Sequence, residues 1–165
     1  MADQTPLDST DHLILAHLQK NARLSNKELA AKVGLSASSC LARVRRLERG
    51  GVLLGYHAEV DARSFGVTLE AMVAVRLAKH VRTAIEAFEQ LLGTLPEVRG
   101  WYHLAGANDY LVHVAVRDAE HLREFVLSAF TGRGDVAHLE TNLIFSHRRA
   151  PVFGAAPRGG MRRDP

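Results

Sequence analysis

Residues 25–50 have the sequence SNKELAAKVGLSASSCLARVRRLERG and decide how the N-terminal third folds. Ser25 followed three positions later by Glu28 is a capping box, in which each side chain can bond a free backbone N–H of a helix start. Gly34 can adopt the left-handed conformation in which helices often end, and Ser36 is the next N-cap candidate. The pattern therefore predicts two helices separated by a short turn containing glycine, which is the arrangement of a helix-turn-helix.

Two further segments complete the predicted module. Asp8 and Asp11 precede an apolar stripe at Ile14, Leu15 and Leu18, which predicts a first helix over about residues 9–20. After the break at Gly50 and Gly51, residues 52–56 are mostly apolar. We interpret them as a short strand or wing that closes the module.

The third helix, expected from Ser36 to about Arg49, has two different faces. At about 100° per residue, Cys40, Val44 and Leu47 fall on one side and are predicted to be buried. The other side carries Ser38, Ser39, Ala42, Arg45, Arg46 and Arg49, with Arg43 at the margin. Small hydroxyl residues allow a close approach to the major groove, and arginines form forked hydrogen bonds with guanine or phosphate. The alternative is an ordinary solvated basic face.

Composition restricts the class of protein. The chain has 165 residues, a net charge of +3 and one cysteine, Cys40, so an internal disulfide and a zinc site built on paired thiols are excluded. The nine histidines lack the spacing of metal ligands, and we expect neither a metal nor another cofactor. No run approaches the roughly 18 apolar residues of a membrane span, and the acidic N-terminus is unlike a secretory signal. We therefore expect a cytoplasmic protein without a membrane partner.

The second part of the chain alternates strand and helix patterns. Strands are predicted over 69–77, 98–105, 110–116 and 139–145, and helices over 84–92 and 120–130. The order βαββαβ is that of a ferredoxin-like unit, so the expected class is α+β. Several strands are apolar at almost every position, whereas a sheet with one open face should alternate. We therefore expect a second subunit to cover that face.

These patterns divide the chain into four segments. Residues 1–56 are the expected winged helix-turn-helix, 57–66 a linker, and 67–150 the ferredoxin-like domain. Residues 151–165 contain three prolines and three glycines and are expected to be a flexible tail.

The residues resemble the leucine-responsive regulatory protein and AsnC family of transcription regulators. The matching stretch is LDSTDHLILAHLQKNARLSNKELAAKVGLSASSCLARVRRLERGGVLLGYHAEVD at 7–61, followed by LPEV at 95–98 and GANDY at 106–110. The resemblance implies a winged helix-turn-helix joined to a ferredoxin-like domain that senses amino acids or related small molecules. It also implies homodimers that pair through their sheets and assemble to octamers or larger discs, and that wrap or bend double-stranded DNA.

The resemblance also implies which residues act. Base or phosphate contacts would come from Ser36, Ser38, Ser39, Arg43 and Arg46, and further phosphate contacts from Arg45, Arg49, Lys27 and Lys32. The effector would lie near the GANDY turn, between dimers, against Gly106, Asn108, Asp109, Tyr102, Leu104 and Thr141. Trp101 departs from the pattern because it is bulky where a smaller residue is expected.

Each assignment has an alternative. GANDY can be a hairpin turn and nothing more, because Asn and Asp tolerate turn conformations without a ligand. The protein could also be an architectural DNA-organising protein without an effector, or a scaffold whose basic helix binds an acidic protein. A small enzyme is disfavoured, because no nucleophile stands in a catalytic motif.

Overall fold

The computed structural model describes residues 6–148 and divides them into two compact units. The first unit extends to Glu59 and the second comprises Val60–His147. The boundary falls inside the predicted linker, which carries a short 3-10 turn at Ala62–Phe65. The predicted tail at 151–165 lies outside the described residues.

The first unit contains three helices, whose positions confirm the predictions. They are α1 (Ser9–Lys20), α2 (Asn26–Val33) and α3 (Ala37–Arg49). A capping box begins α1 at Asp8 and another begins α2 at Ser25. Gly34 ends α2 with φ 69°, a left-handed conformation that glycine adopts without a steric penalty. Apolar side chains of all three helices share one core, with Ile14, Leu29, Cys40 and Leu47 among its buried members.

The strand predicted over residues 52–56 does not form in the single chain. This segment is a bend followed by irregular backbone. Its backbone bonds are those of Val52 and Leu53, whose N–H groups both donate to the Leu47 carbonyl. A strand needs a hydrogen-bonded neighbour, and none of the four strands within residues 6–148 pairs with this segment. Tyr56 nevertheless contacts α3, because its hydroxyl donates a hydrogen bond to Glu48 at 3.0 Å.

The second unit is a four-stranded antiparallel sheet with two helices. Its elements are β1 (Leu69–Leu77), α4 (Arg82–Leu92), β2 (Val98–His103), β3 (Tyr110–Val116), α5 (Ala119–Val126) and β4 (Val136–Leu143). The sheet order is β2-β3-β1-β4, so the predicted βαββαβ fold is confirmed. Three strand boundaries differ from prediction, since β2 ends at His103 and β4 spans Val136–Leu143, where the predictions were 98–105 and 139–145. Helix α5 ends at Val126, and the chain continues as a π-helical turn at Leu127–Thr131.

Both helices pack on one face of the sheet. Val73 and Val112, which are register partners, lie in a core that also contains Phe88 of α4 and Phe125 of α5. The residues that alternate with these along β1 and β3 face the other way, and we call that side the open face. It carries Glu70, Met72, Ala74, Arg76, Leu111, His113 and Ala115.

The composition of the open face differs from the prediction. The strands were predicted to be apolar on both faces, but the open face mixes apolar side chains with an ion pair between His113 and Glu70 at 2.7 Å. Its apolar members, Met72, Ala74, Leu111 and Ala115, lie on the two central strands. The ion pair lies among these apolar residues, because His113 is opposite Met72 and between Leu111 and Ala115 along β3. Interfaces between proteins commonly combine apolar and polar side chains in this way.

Candidate nucleic-acid interface and effector site

The N-terminal end of α3 presents a cluster of hydroxyl groups. Ser36 caps the helix by accepting from the Ser39 N–H at 3.2 Å. Its hydroxyl also lies 3.2 Å from that of Ser38 and donates to that of Ser39 at 2.9 Å. All three serines are exposed. They surround the end of the helix that carries partial positive charge, which attracts phosphate.

The predicted faces of α3 are largely confirmed. Cys40 and Leu47 are buried, and Val44 is half-buried against the same core. Ser38, Ser39, Ala42, Arg45 and Arg49 are exposed. Burial raises the pKa of the Cys40 thiol, which keeps this thiol protonated and unsuited to act as a nucleophile.

Arg43 and Arg46 have partners that the sequence did not indicate. Arg43 Nη1 donates to Asp8 Oδ2 at 2.6 Å and to Asp11 Oδ1 at 3.0 Å, and Arg46 Nη2 donates to Asp11 Oδ2 at 2.5 Å. The hydrogen bond with Arg43 holds the pKa of Asp8 below its ordinary value, and the same bond raises the pKa of Arg43. Both predicted contact residues therefore lie on the side of α3 that faces the start of α1.

The remaining predicted contacts lie on α2, which precedes the turn. Lys27 and Lys32 are both exposed. Asn26, next to Lys27, joins α2 to α3, because its amide Nδ2 donates to the Ala37 carbonyl at 2.7 Å. Sequence reasoning missed this link, although an amide at the first position of α2 was visible in the sequence.

The GANDY segment forms the connection between β2 and β3. The backbone N–H of Asp109 donates to Val75 at 2.9 Å, and its carboxylate Oδ2 accepts from the Leu77 N–H at 2.8 Å. Its Oδ1 lies 3.7 Å from His80 Nδ1. Asp109 therefore connects the start of β3 to the end of β1. A structural role in the turn explains the contact of Oδ2, which is one of the two carboxylate oxygens.

The predicted effector residues are not brought together in one chain. Tyr102 pairs with Leu111 and shares the open face, near the exposed Leu104 and the turn glycine Gly106. Thr141 belongs to β4, at the opposite edge of the sheet, where it pairs with Val73 of β1. With strands about 4.8 Å apart, the two edges are separated by roughly 14 Å. Trp101 pairs with Val112 and so shares the helix-bearing face, away from Tyr102.

Two further properties concern the described part of the chain. Within residues 6–148 no helix is long and apolar enough to cross a membrane. The same residues contain no group of three His, Cys, Asp or Glu side chains placed to hold a metal ion.

Comparisons with known proteins agree with this architecture. The winged helix-turn-helix DNA-binding family matches residues 7–53, and the Lrp/AsnC ligand binding domain matches residues 70–150. The HTH-type transcriptional regulator AldR of Mycolicibacterium smegmatis is 42% identical over 151 residues, which are 92% of this chain and 86% of AldR. The transcriptional regulator AzlB of Bacillus subtilis is 31% identical over 88% of this chain and 93% of its own length.

A solved structure gives the same result. The crystal structure of a transcriptional regulator from Neisseria meningitidis in complex with L-Met has a TM-score of 0.81 and 32% identity, and the match covers 88% of this chain and 94% of that one. Both domains, their order and the helix-turn-helix geometry thus agree with one group of proteins. The chain belongs to the Lrp/AsnC family of DNA-binding transcription regulators.

Proposed function

We propose that this regulator binds operator DNA through α3 and that an amino acid or a related small molecule changes its assembly and its DNA affinity. The observation that carries the proposal is the outward face of α3, with three exposed serines at its positive end and Arg45 and Arg49 further along. This arrangement suits a helix that enters the major groove at its N-terminal end and contacts phosphates along its length. Lys27 and Lys32 supply further phosphate contacts.

We propose a homodimer that pairs through the open face. Met72, Ala74, Leu111 and Ala115 would supply its apolar contacts, and the His113–Glu70 pair, which lies among them, would supply polar contacts. A two-fold dimer presents two α3 helices, so the preferred operator should be nearly palindromic with half-sites about one helical turn apart. We also propose that these dimers assemble into an octamer or a larger disc.

A charge at the centre of the open face should prevent dimer formation. We expect Leu111→Arg to convert the chain to a monomer, because an unpaired charge buried at an interface costs several kcal/mol. Sedimentation velocity measures the change. The matched control is Leu127→Arg, which alters an exposed leucine next to α5 on the other side of the sheet and should leave the assembly intact. A dimer that survives Leu111→Arg would exclude this face as the interface.

The effector site requires more than one chain under this proposal. One chain would supply the turn with Gly106, Asn108, Asp109 and the neighbouring Tyr102 and Leu104, and another would supply Thr141 from its own β4 edge. A carboxylate beside exposed backbone groups suits a zwitterion, because it can pair with an ammonium while backbone N–H groups bind a carboxylate. The Neisseria meningitidis relative solved with L-Met supports an amino acid as the ligand.

The mechanism would be a shift between assemblies. An effector bound between dimers favours the assembly for which it has the higher affinity. The free energy of DNA binding then changes by up to the difference between the effector's binding free energies for the two assemblies, typically about 1–3 kcal/mol. A thermal-shift screen of the twenty amino acids, followed by DNA titration and light scattering with any amino acid that stabilises the protein, tests the proposal. Salt-dependent DNA binding that no amino acid alters would instead indicate an architectural protein.

Asp109→Asn separates the ligand role of this residue from its role in the turn. Asparagine keeps an oxygen that can accept from the Leu77 N–H, but it removes the charge that would pair with an effector ammonium. We expect the melting temperature without effector to change little and the effector affinity to fall at least tenfold, since hydrogen bonds to charged groups contribute roughly 1.5–3 kcal/mol. Isothermal titration measures the affinity.

The control for this variant is Asp61→Asn, which alters the aspartate that caps the 3-10 turn. It should leave effector affinity unchanged. Equal affinity of wild-type and Asp109→Asn protein would mean that GANDY is a turn only.

The site offers no reason to propose a catalytic activity, because the one cysteine is buried and its pKa is raised. We also propose a cytoplasmic location, since a transcription regulator acts where the chromosome is accessible. The proposal includes no cofactor.

A further inference from the structure

Asp11 is a buried acid in the middle of a DNA-binding module. It is fully buried, and it is the one polar or charged residue with that property in the part of the chain described. Burial of a carboxylate is unfavourable unless hydrogen bonds replace water. Here three donors do so: the Asp8 backbone N–H at 3.1 Å, Arg43 Nη1 and Arg46 Nη2. Asp11 is therefore satisfied entirely by the start of α1 and by two arginines of α3.

The four arginines of α3 fall into two pairs. Arg45 and Arg49 are exposed, and Arg49 Nε donates to the carbonyl of Arg45 at 3.2 Å. Arg43 and Arg46 are three positions apart and therefore lie on one side of the helix, where Asp8 and Asp11 neutralise them. The first pair is free to follow the phosphates of any duplex. The second pair is held in one orientation.

Arg46 is held without being withdrawn from solvent. Its side chain is 41% exposed, and Asp11 is its partner through Nη2 within the described chain. The other N–H groups of the guanidinium remain available to a ligand. A guanidinium has a planar fork of donors, so fixing one end of it also fixes the direction in which the remaining donors point.

We infer that Asp11 is a positioning residue for sequence recognition: it holds the Arg46 guanidinium at an orientation that matches the operator and prevents it from binding phosphates without regard to sequence. A side chain ordered before binding loses less entropy when it meets a base edge or a phosphate at one position. A mobile, uncompensated arginine would instead strengthen binding to any DNA. This inference rests on the proposed role of α3 in DNA contact.

Asp11→Asn tests the inference by removing the charge while keeping the shape. The probes are a duplex that the wild-type protein selects from a randomised pool and a scrambled duplex of equal length and composition. We expect the ratio of the two affinities to fall about tenfold, the size of one well-oriented arginine contact. Affinity for the scrambled duplex should hold or rise, with a salt slope steeper by up to about 0.9 for each released arginine.

A merely structural role would give a different result, because loss of folded protein lowers both affinities equally and leaves their ratio unchanged. Either that parallel loss or an unchanged pair of affinities in a folded Asp11→Asn protein would overturn the inference. Circular dichroism checks the fold. The matched control is Asp118→Asn, which alters an N-cap aspartate of the second unit and retains a good cap, so neither affinity should change.

A second variant decides the question if Asp11→Asn does not fold. Arg46→Lys keeps the positive charge but lacks the planar fork, so we expect the same tenfold fall in the ratio with an unchanged salt slope. A ratio within twofold of the wild-type value would overturn the inference. Failure of the proposed function would look different, since the wild-type protein would then bind neither duplex in a salt-dependent way.

Discussion

DNA affinity is expected to fall at least a hundredfold when Arg45 and Arg49 are both replaced by alanine. Both side chains are exposed on α3, and hydrogen bonds to charged groups contribute roughly 1.5–3 kcal/mol each. Each lost phosphate contact should also reduce the slope of log affinity against log salt by about 0.9. Fluorescence anisotropy with a labelled duplex at several salt concentrations measures both quantities.

The control for this double variant removes the same charge from the other unit. Arg82 and Arg123 are exposed and form ion pairs with neighbouring glutamates of their own helices, so Arg82→Ala with Arg123→Ala should leave DNA binding close to the wild-type value. If Arg45→Ala with Arg49→Ala retained both affinity and salt slope in an intact oligomer, α3 would not be the DNA-contacting helix.

Phe88→Ala is expected to destabilise the second unit by roughly 3–5 kcal/mol, the usual range for removing a buried phenylalanine ring. Phe88 is fully buried, and its ring centroid lies 5.0 Å from that of Tyr110 and 6.0 Å from that of Phe130. Removing it leaves a cavity between α4, the sheet and the end of the α5 segment. Since the free energy of unfolding of a whole domain is only about 5–15 kcal/mol, this single change removes a large part of the stability of the second unit.

The chain allows this unit to be observed separately. Trp101 is the one tryptophan of the sequence and lies on β2, so its fluorescence during urea unfolding reports on the second unit. Phe145→Ala is the control, because Phe145 is 97% exposed and its removal should change stability by no more than about 0.5 kcal/mol. A loss below 1 kcal/mol for Phe88→Ala would contradict the described core.

Helix boundaries of the first unit could be predicted because their causes are local. Ser25, Gly34 and Ser36 act on backbone groups within a few positions of themselves, and such interactions can be identified in the sequence. The buried side of α3 followed from helical periodicity for the same reason. What periodicity could not indicate was the pairing of Arg46 with Asp11, because 35 positions separate them.

Strand boundaries depended on partners that lie far away in sequence. The last strand was predicted to begin at Leu139, but it begins at Val136 because that residue pairs with Leu77 of β1. Residues 52–56 were expected to form a strand from their apolar composition, yet none of the strands in the described part of the chain pairs with them. In both places the hydrogen-bonding partner, and not the local sequence, determines the extent of the strand.

The sequence by itself determined the two-domain α+β architecture, the helix caps and the outward serines and arginines of α3, since each depends on spacing along the chain. Only the tertiary structure decided that Arg43 and Arg46 are held by Asp8 and Asp11, and that Tyr102 and Thr141 lie at opposite edges of the sheet. The physical reason is that these ion pairs and the strand order join residues that are far apart along the chain, and local spacing does not indicate which distant residues meet.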